Sequence, residues 1–257
     1  MAAQKQHLMT DGLILREYET VAEADRFVAI LTRDKGLVRA SARGAKRVKS
    51  RAGAATQPLC YARLSLIEGR DKYIIEDAQP IEVFFPLRQD VERLALAQYF
   101  CELVLRVCPT DSPAESHLRL LLGALHYLCE GKKPPLQIKA VVEGRLLGLE
   151  GYTPDLSGCC HCGQQEGELW FSPEAGTLCC AAHGGLSSMA QAVAVTPGVL
   201  AALRHVLLGS FERCFAFALP PSDLGVLATL TERFVLAQLQ RPFKTLEFYH
   251  TLQSEGT

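Results

Sequence analysis

Residues 33–51 read RDKGLVRASARGAKRVKSR. Eight of these nineteen residues are Lys or Arg, and Asp34 alone is acidic. From Leu37 to Ala42 the run alternates. Leu37, Arg39, Ser41 and Arg43 share one side, and Val38, Ala40 and Ala42 share the other. Period-two patterning with one polar side predicts a half-buried antiparallel strand. Beyond Gly44, small residues separate the charges and no apolar cluster forms, which predicts an exposed loop. A basic strand running into a basic loop is a surface that can follow a line of phosphates. The candidate contacts are Lys35, Arg39, Arg43, Lys46, Arg47, Lys49 and Arg51. The bland alternative is a solvated basic face without a partner.

The flanks continue the β pattern. GLILREYE (12–19) and RFVAILTRD (26–34) precede the basic stretch. PLCYARLSLIE (58–68) and DKYIIEDAQPIEVF (71–84) follow it, with GRD (69–71) between them. In the fourth run Cys60, Ala62, Leu64 and Leu66 share a side, opposite Tyr61, Arg63 and Ser65. Five short strands in about 75 residues predict a small barrel such as an OB-fold over residues 1–83. Tyr18, Tyr61 and Tyr73 are the nearby aromatics on which unpaired bases can stack.

After Pro86 the period changes to helical. Helices are expected over 88–107, from a Ser112 cap with Pro113 at the first position to Glu130, and over Leu136–Leu149. Further helices are expected from Pro197, capped by Thr196, to Leu208, over 223–240 and over 243–252. The expected fold class is therefore α+β and multidomain: a five-stranded OB-fold barrel (1–83), then a helical bundle (84–156 and 187–257) with a zinc-ribbon-like insert (157–186). On the third helix, Lys139 and Arg145 lie beside apolar residues.

The insert carries the sharpest motif. Cys159-x-x-Cys162-Gly163 has the form of a zinc knuckle, and Cys180-Ala-Ala-His183 repeats the spacing seventeen residues on. Two such turns supply the four soft or borderline ligands that tetrahedral zinc takes. Cys179 is the alternative to Cys180. Cys160 and His161 are expected to point away from the ion.

The 257 residues carry 27 Lys and Arg against 28 Asp and Glu, so basic character is local rather than global. No apolar run approaches the roughly 20 residues of a membrane span, and the N-terminus lacks a signal-peptide core. A cytoplasmic location with reduced cysteines is therefore expected. There is no GxGxxG, no GxxxxGK[ST], no GxSxG and no HExxH, so no enzymatic signature is present.

Five stretches together resemble the bacterial RecO family of recombination mediators. They are 12–51, 58–82, LGLEGYTPDLSGCCHCG (147–163), FSPEAGTLC (171–179) and RPFKTLEFYHTL (241–252). The resemblance implies an OB-fold followed by a helical domain with a zinc module, a non-enzymatic role, and a bacterial cytoplasmic location at the nucleoid. It implies binding to single- and double-stranded DNA and annealing of complementary strands. It also implies work with RecR to load RecA onto DNA coated by single-stranded-DNA-binding protein (SSB), whose C-terminal tail the helical domain contacts, with Lys139 and Arg145 on the third helix as the candidates for that contact. This chain departs from the family's usual second Cys-x-x-Cys pair: Ala182 stands at its second cysteine, and Cys180 with His183 can serve instead. The competing reading is a zinc-stabilised scaffold that meets its partners without touching DNA.

Overall fold

The computed structural model describes residues 7–20, 23–50, 52–70, 72–183 and 192–255. The chain divides into two compact units, residues 1–129 with 245–257, and residues 130–244.

In the first unit, β1 (His7–Tyr18), β2 (Arg26–Thr32), β3 (Gly36–Ala42), β4 (Cys60–Glu68) and β5 (Tyr73–Val83) close into a barrel in the order β1-β2-β3-β5-β4. The expected OB-fold barrel is present. Val38, Ala40 and Ala42 of β3 and Cys60, Ala62, Leu64 and Leu66 of β4 fill its interior with Ile14, Val28 and Ile30. These are the apolar sides that alternation assigned inward. A four-residue helix α1 (Ala52–Ala55) bridges β3 and β4.

Strand β2 reads as a continuous apolar run because it is buried on both faces. Val28 and Ile30 point into the barrel, while Ala29 and Leu31 are equally buried outside it. Helix α2 (Val91–Val107) packs on β1 on that outer side. It starts three residues later than expected, because Asp90 is its cap: the carboxylate accepts from the Arg93 N–H at 3.0 Å, a contact worth about 1 kcal/mol. Helix α3 (Glu115–Glu130) also starts late. Ser112 and Pro113 do not open it, because the Ala114 N–H is drawn to the Arg33 carbonyl at 2.9 Å, on the β2–β3 turn. Helix α7 (Lys244–Glu255) returns to α2: Thr245 donates through N–H and hydroxyl to Glu102, at 3.1 and 2.6 Å.

The second unit holds α4 (Pro135–Leu149), α5 (Pro197–Leu208) and α6 (Pro221–Leu239). It also holds a small sheet of β6 (Asp155–Cys159), β7 (Leu169–Ser172), β8 (Thr177–Cys180) and β9 (Val193–Val195), in the order β6-β8-β7-β9. Thr196 caps α5 as expected, accepting from the Val199 N–H at 3.2 Å. The helices are thus shared between the two units, with α2, α3 and α7 in the first and α4, α5 and α6 in the second. The compact units divide near residue 130, with α2 and α3 grouped with the barrel.

One expectation is overturned inside α4. Lys139 is not on a surface face: its side chain is 2% exposed, with Glu143 Oε1 at 2.9 Å and Glu232 Oε2 at 2.8 Å. Glu143 also accepts from the Thr231 hydroxyl at 2.7 Å. An i, i+4 Lys–Glu pair normally marks a solvated face, but here Ile138, Ala140, Val141, Val142, Leu146 and Leu147 are buried all round the helix. Burial works to lower the Lys139 pKa, but Glu143 and Glu232 more than offset it and hold it above the usual lysine value. Burial pushes Glu143 upward, and Lys139 and Thr231 only partly pull it back. Lys139→Met therefore leaves a buried carboxylate without its counter-charge, at a cost of about 3–5 kcal/mol near neutral pH. The loss should shrink as pH falls, because Glu143 can then take up a proton. Denaturant unfolding of Lys139→Met and of Lys139→Met/Glu143→Leu checks this, with the double variant recovering most of the loss.

Candidate nucleic-acid interface and metal centre

Pairing across the barrel aligns Tyr18 with Phe27 and Phe27 with Ser41, and Ser41 with Ile74. This row forms an open face beside the basic loop. The Tyr18 and Phe27 rings lie 5.5 Å apart. The Arg39 guanidinium sits 5.8 Å from the Tyr18 ring centre and the Lys72 ammonium 4.8 Å from that of Phe27. A cleft of about 430 Å³ opens around Phe27 and Ser41, with Arg43, Arg70 and Lys72 on its walls. Glu19 and Asp25 line it too, but Asp25 is engaged in holding the loop.

The loop is built from consecutive turns. Gly44 turns at φ +61°, a conformation that favours glycine. Its N–H donates to Asp25 Oδ1 at 2.8 Å, and the Lys46 N–H donates to the Ala24 carbonyl at 3.0 Å. The β1–β2 connection therefore holds the loop in place. Glu17 receives Arg26 and Lys46, each at 2.9 Å.

The structure sorts the expected cations. Arg39 and Arg43 are exposed on this side, and Arg47 and Lys49 are exposed on the loop. Lys46 is engaged with Glu17, so part of its charge is neutralised in place. Lys35 lies before β3, at the far end from the loop, and seven strand residues separate them by about 20 Å. Arg51 lies outside the described residues. Of the three tyrosines, Tyr18 is on this face. Tyr73 packs against the barrel core, and Tyr61 faces Asp11, Arg33 and Arg63. Phe27, Arg70 and Lys72 were not legible as site residues. Phe27 reads as one more apolar strand residue, and the two cations reach the face only through the β3–β5 pairing.

In the second unit, β6 and β8 run side by side and bring the two cysteine motifs together. Gly163 turns the first knuckle at φ +73°, with its N–H donating to the Cys159 carbonyl at 2.8 Å. The His183 N–H donates to the Cys180 carbonyl at 3.0 Å in the second. The ligand atoms of Cys159, Cys162, Cys180 and His183 all lie within 4.8 Å of one another. The Cys162 and Cys180 sulfurs are 3.8 Å apart, and His183 Nδ1 is 3.2 Å from Cys180 and 3.9 Å from Cys159. Those separations suit a tetrahedron with metal–sulfur bonds of about 2.3 Å. Backbone N–H groups of Cys162, Cys180 and His161 bring the Cys159 thiol down to about 6, which favours the thiolate a metal needs. The donor set fits a metal ion, with Cys180 in the set and Cys179 outside it.

Arg145, the other partner candidate, is half-buried. It donates to the Leu207 carbonyl at 3.1 Å and to that of Gly209, so it closes the C-terminal end of α5. Among the described residues no helix is long and apolar enough to cross a membrane.

Comparison with known proteins bears on both regions. A family model described as recombination protein O N terminal matches residues 6–84, and one described as recombination protein O C terminal matches residues 88–247. The chain is 34% identical over 248 residues to the DNA repair protein RecO of Acetivibrio thermocellus, covering 96% of this chain and 97% of that one. It is 33% identical over 251 residues to the DNA repair protein RecO of Symbiobacterium thermophilum, covering 95% and 97%. With the barrel and the cysteine-bearing unit both accounted for along almost their full length, this chain belongs to the RecO family of DNA repair proteins.

Proposed function

We propose that this chain is a non-enzymatic recombination mediator. It binds single- and double-stranded DNA along the barrel, anneals complementary strands, and with RecR helps load RecA onto SSB-coated DNA. The observation that supports this most is the collection of four exposed cations, Arg39, Arg43, Arg70 and Lys72, around the Tyr18–Phe27 pair, with Arg47 and Lys49 exposed on the loop that follows Arg43. The cations neutralise phosphates without reading bases, and the rings offer stacking surfaces to unpaired bases. Two neutralised strands held on one such face no longer repel each other, which is the physical requirement for annealing. The four-ligand site holds one structural zinc. The tail of SSB docks on the helical part of the chain. Lys139 is too deeply buried for that role, and Arg145 is the remaining candidate on α4.

Six phosphate contacts on a single strand predict a slope of about −4 for log K against log salt concentration. Fluorescence anisotropy with a labelled single-stranded oligonucleotide, repeated over a salt series, measures it. Absence of binding even in dilute buffer would sink the mediator reading.

A further inference from the structure

Strand β8 ends on the vicinal pair Cys179–Cys180, and β6 ends on Cys159 with Cys160 opening the turn that follows. Neighbouring residues of an extended segment project to opposite sides. Cys159 and Cys180 take the side that holds the four-ligand site. Cys160 and Cys179 take the other, and their sulfurs lie 3.3 Å apart. Cys160 is exposed and Cys179 half-buried. Exposed His161 completes a trio: its ring nitrogen and the two sulfurs all lie within 4.8 Å of one another. The His161 ring is 5.6 Å from that of His183, so the two sets adjoin without sharing a residue.

Two thiolates this close repel strongly unless a proton or a cation sits between them. A pair of sulfurs with an imidazole is a soft-to-borderline donor set, suited to zinc-class ions or monovalent copper and not to calcium or magnesium. We propose that Cys160, His161 and Cys179 form a second metal site, back to back with the first, which takes a zinc ion and leaves one coordination position to solvent. Three protein ligands with an open fourth position distinguish it from the closed four-ligand arrangement. With one ligand fewer and exposure to water, it binds more weakly and exchanges its ion.

The test is zinc content by elemental analysis of the full-length protein, equilibrated in zinc buffers from picomolar to micromolar free metal. Wild type should hold about one ion per chain at the low end and about two at the high end. Cys160→Ser/Cys179→Ser should stay near one throughout, and so should His161→Ala, which leaves every cysteine in place. Cys159→Ser should lose the tight ion instead. In wild type, the second equivalent should also slow the reaction of two thiols with an aromatic disulfide reagent. One ion per chain at every zinc level, removed by Cys159→Ser, overturns the second site while leaving the first intact. A Cys160–Cys179 disulfide in protein kept in reductant also overturns it, as does loss of both ions in Cys160→Ser/Cys179→Ser.

Discussion

Replacing Arg43, Arg47 and Lys49 together by Glu should lower affinity for single-stranded DNA about a thousandfold at physiological salt and abolish annealing. Each change removes a cation that meets a phosphate and puts an anion in its place, so the strand loses counterion release and gains repulsion. All three side chains are exposed, so the barrel should keep its thermal stability within about 0.5 kcal/mol, as surface substitutions do. Lys35→Glu is the matched control. It reverses the same charge at the other end of β3, about 20 Å away, beyond the roughly 8 Å over which charge acts at physiological ionic strength. Its affinity should change less than about threefold. If the triple variant anneals as well as wild type, the loop has no part in the mechanism. If Lys35→Glu is as damaging as the triple variant, the DNA path runs along the whole strand.

If the four-ligand site takes zinc as proposed, Cys159→Ser should abolish tight zinc binding and unfold the cysteine-bearing sheet. Structural zinc sites of this kind contribute on the order of 10 kcal/mol of apparent binding free energy, more than a four-stranded sheet with a short β9 can replace by packing. Limited proteolysis should then cut between Gly163 and Gly176, and wild type should resist there. Cys179→Ser should keep the tight ion, because that side chain points to the other side of β8. DNA affinity in Cys159→Ser should stay within about threefold of wild type, since every exposed cation invoked for binding lies in the other unit. A variant that keeps its zinc at picomolar free metal would show that the ligand set is wrong.

The barrel and the clustering of the cysteines with His183 were legible in the sequence for different reasons. Alternation in β3 and β4 records one wet and one dry face, so Val38, Ala40, Leu64 and Leu66 could be placed inward directly. The Cys180–His183 pairing followed from spacing, and the structure brings these two side chains together with Cys159 and Cys162. What could not be read was anything decided by distant packing. Lys139 and Glu143 look like a surface ion pair until α6 brings Glu232 and Thr231 against them. Arg70 and Lys72 look like ordinary turn residues until β5 pairs with β3. The thiol pair Cys160–Cys179 needed the parallel pairing of β6 with β8, which no local pattern encodes. Grouping of α2, α3 and α7 with the barrel was hidden too, because amphipathic periodicity states that a face is buried but not against what.

The return of α7 to the barrel unit has a consequence for biosynthesis. Residues 130–244 form a continuous segment and can complete their own packing as soon as they leave the ribosome. The unit begun first must wait, with Glu102 still lacking Thr245, until residues 245–255 emerge. Order of manufacture and order of completion are therefore reversed in this polypeptide, and a nascent chain arrested through an added linker that places residues up to 244 outside the ribosome should already bind zinc tightly while its α2 surface is still open to proteases.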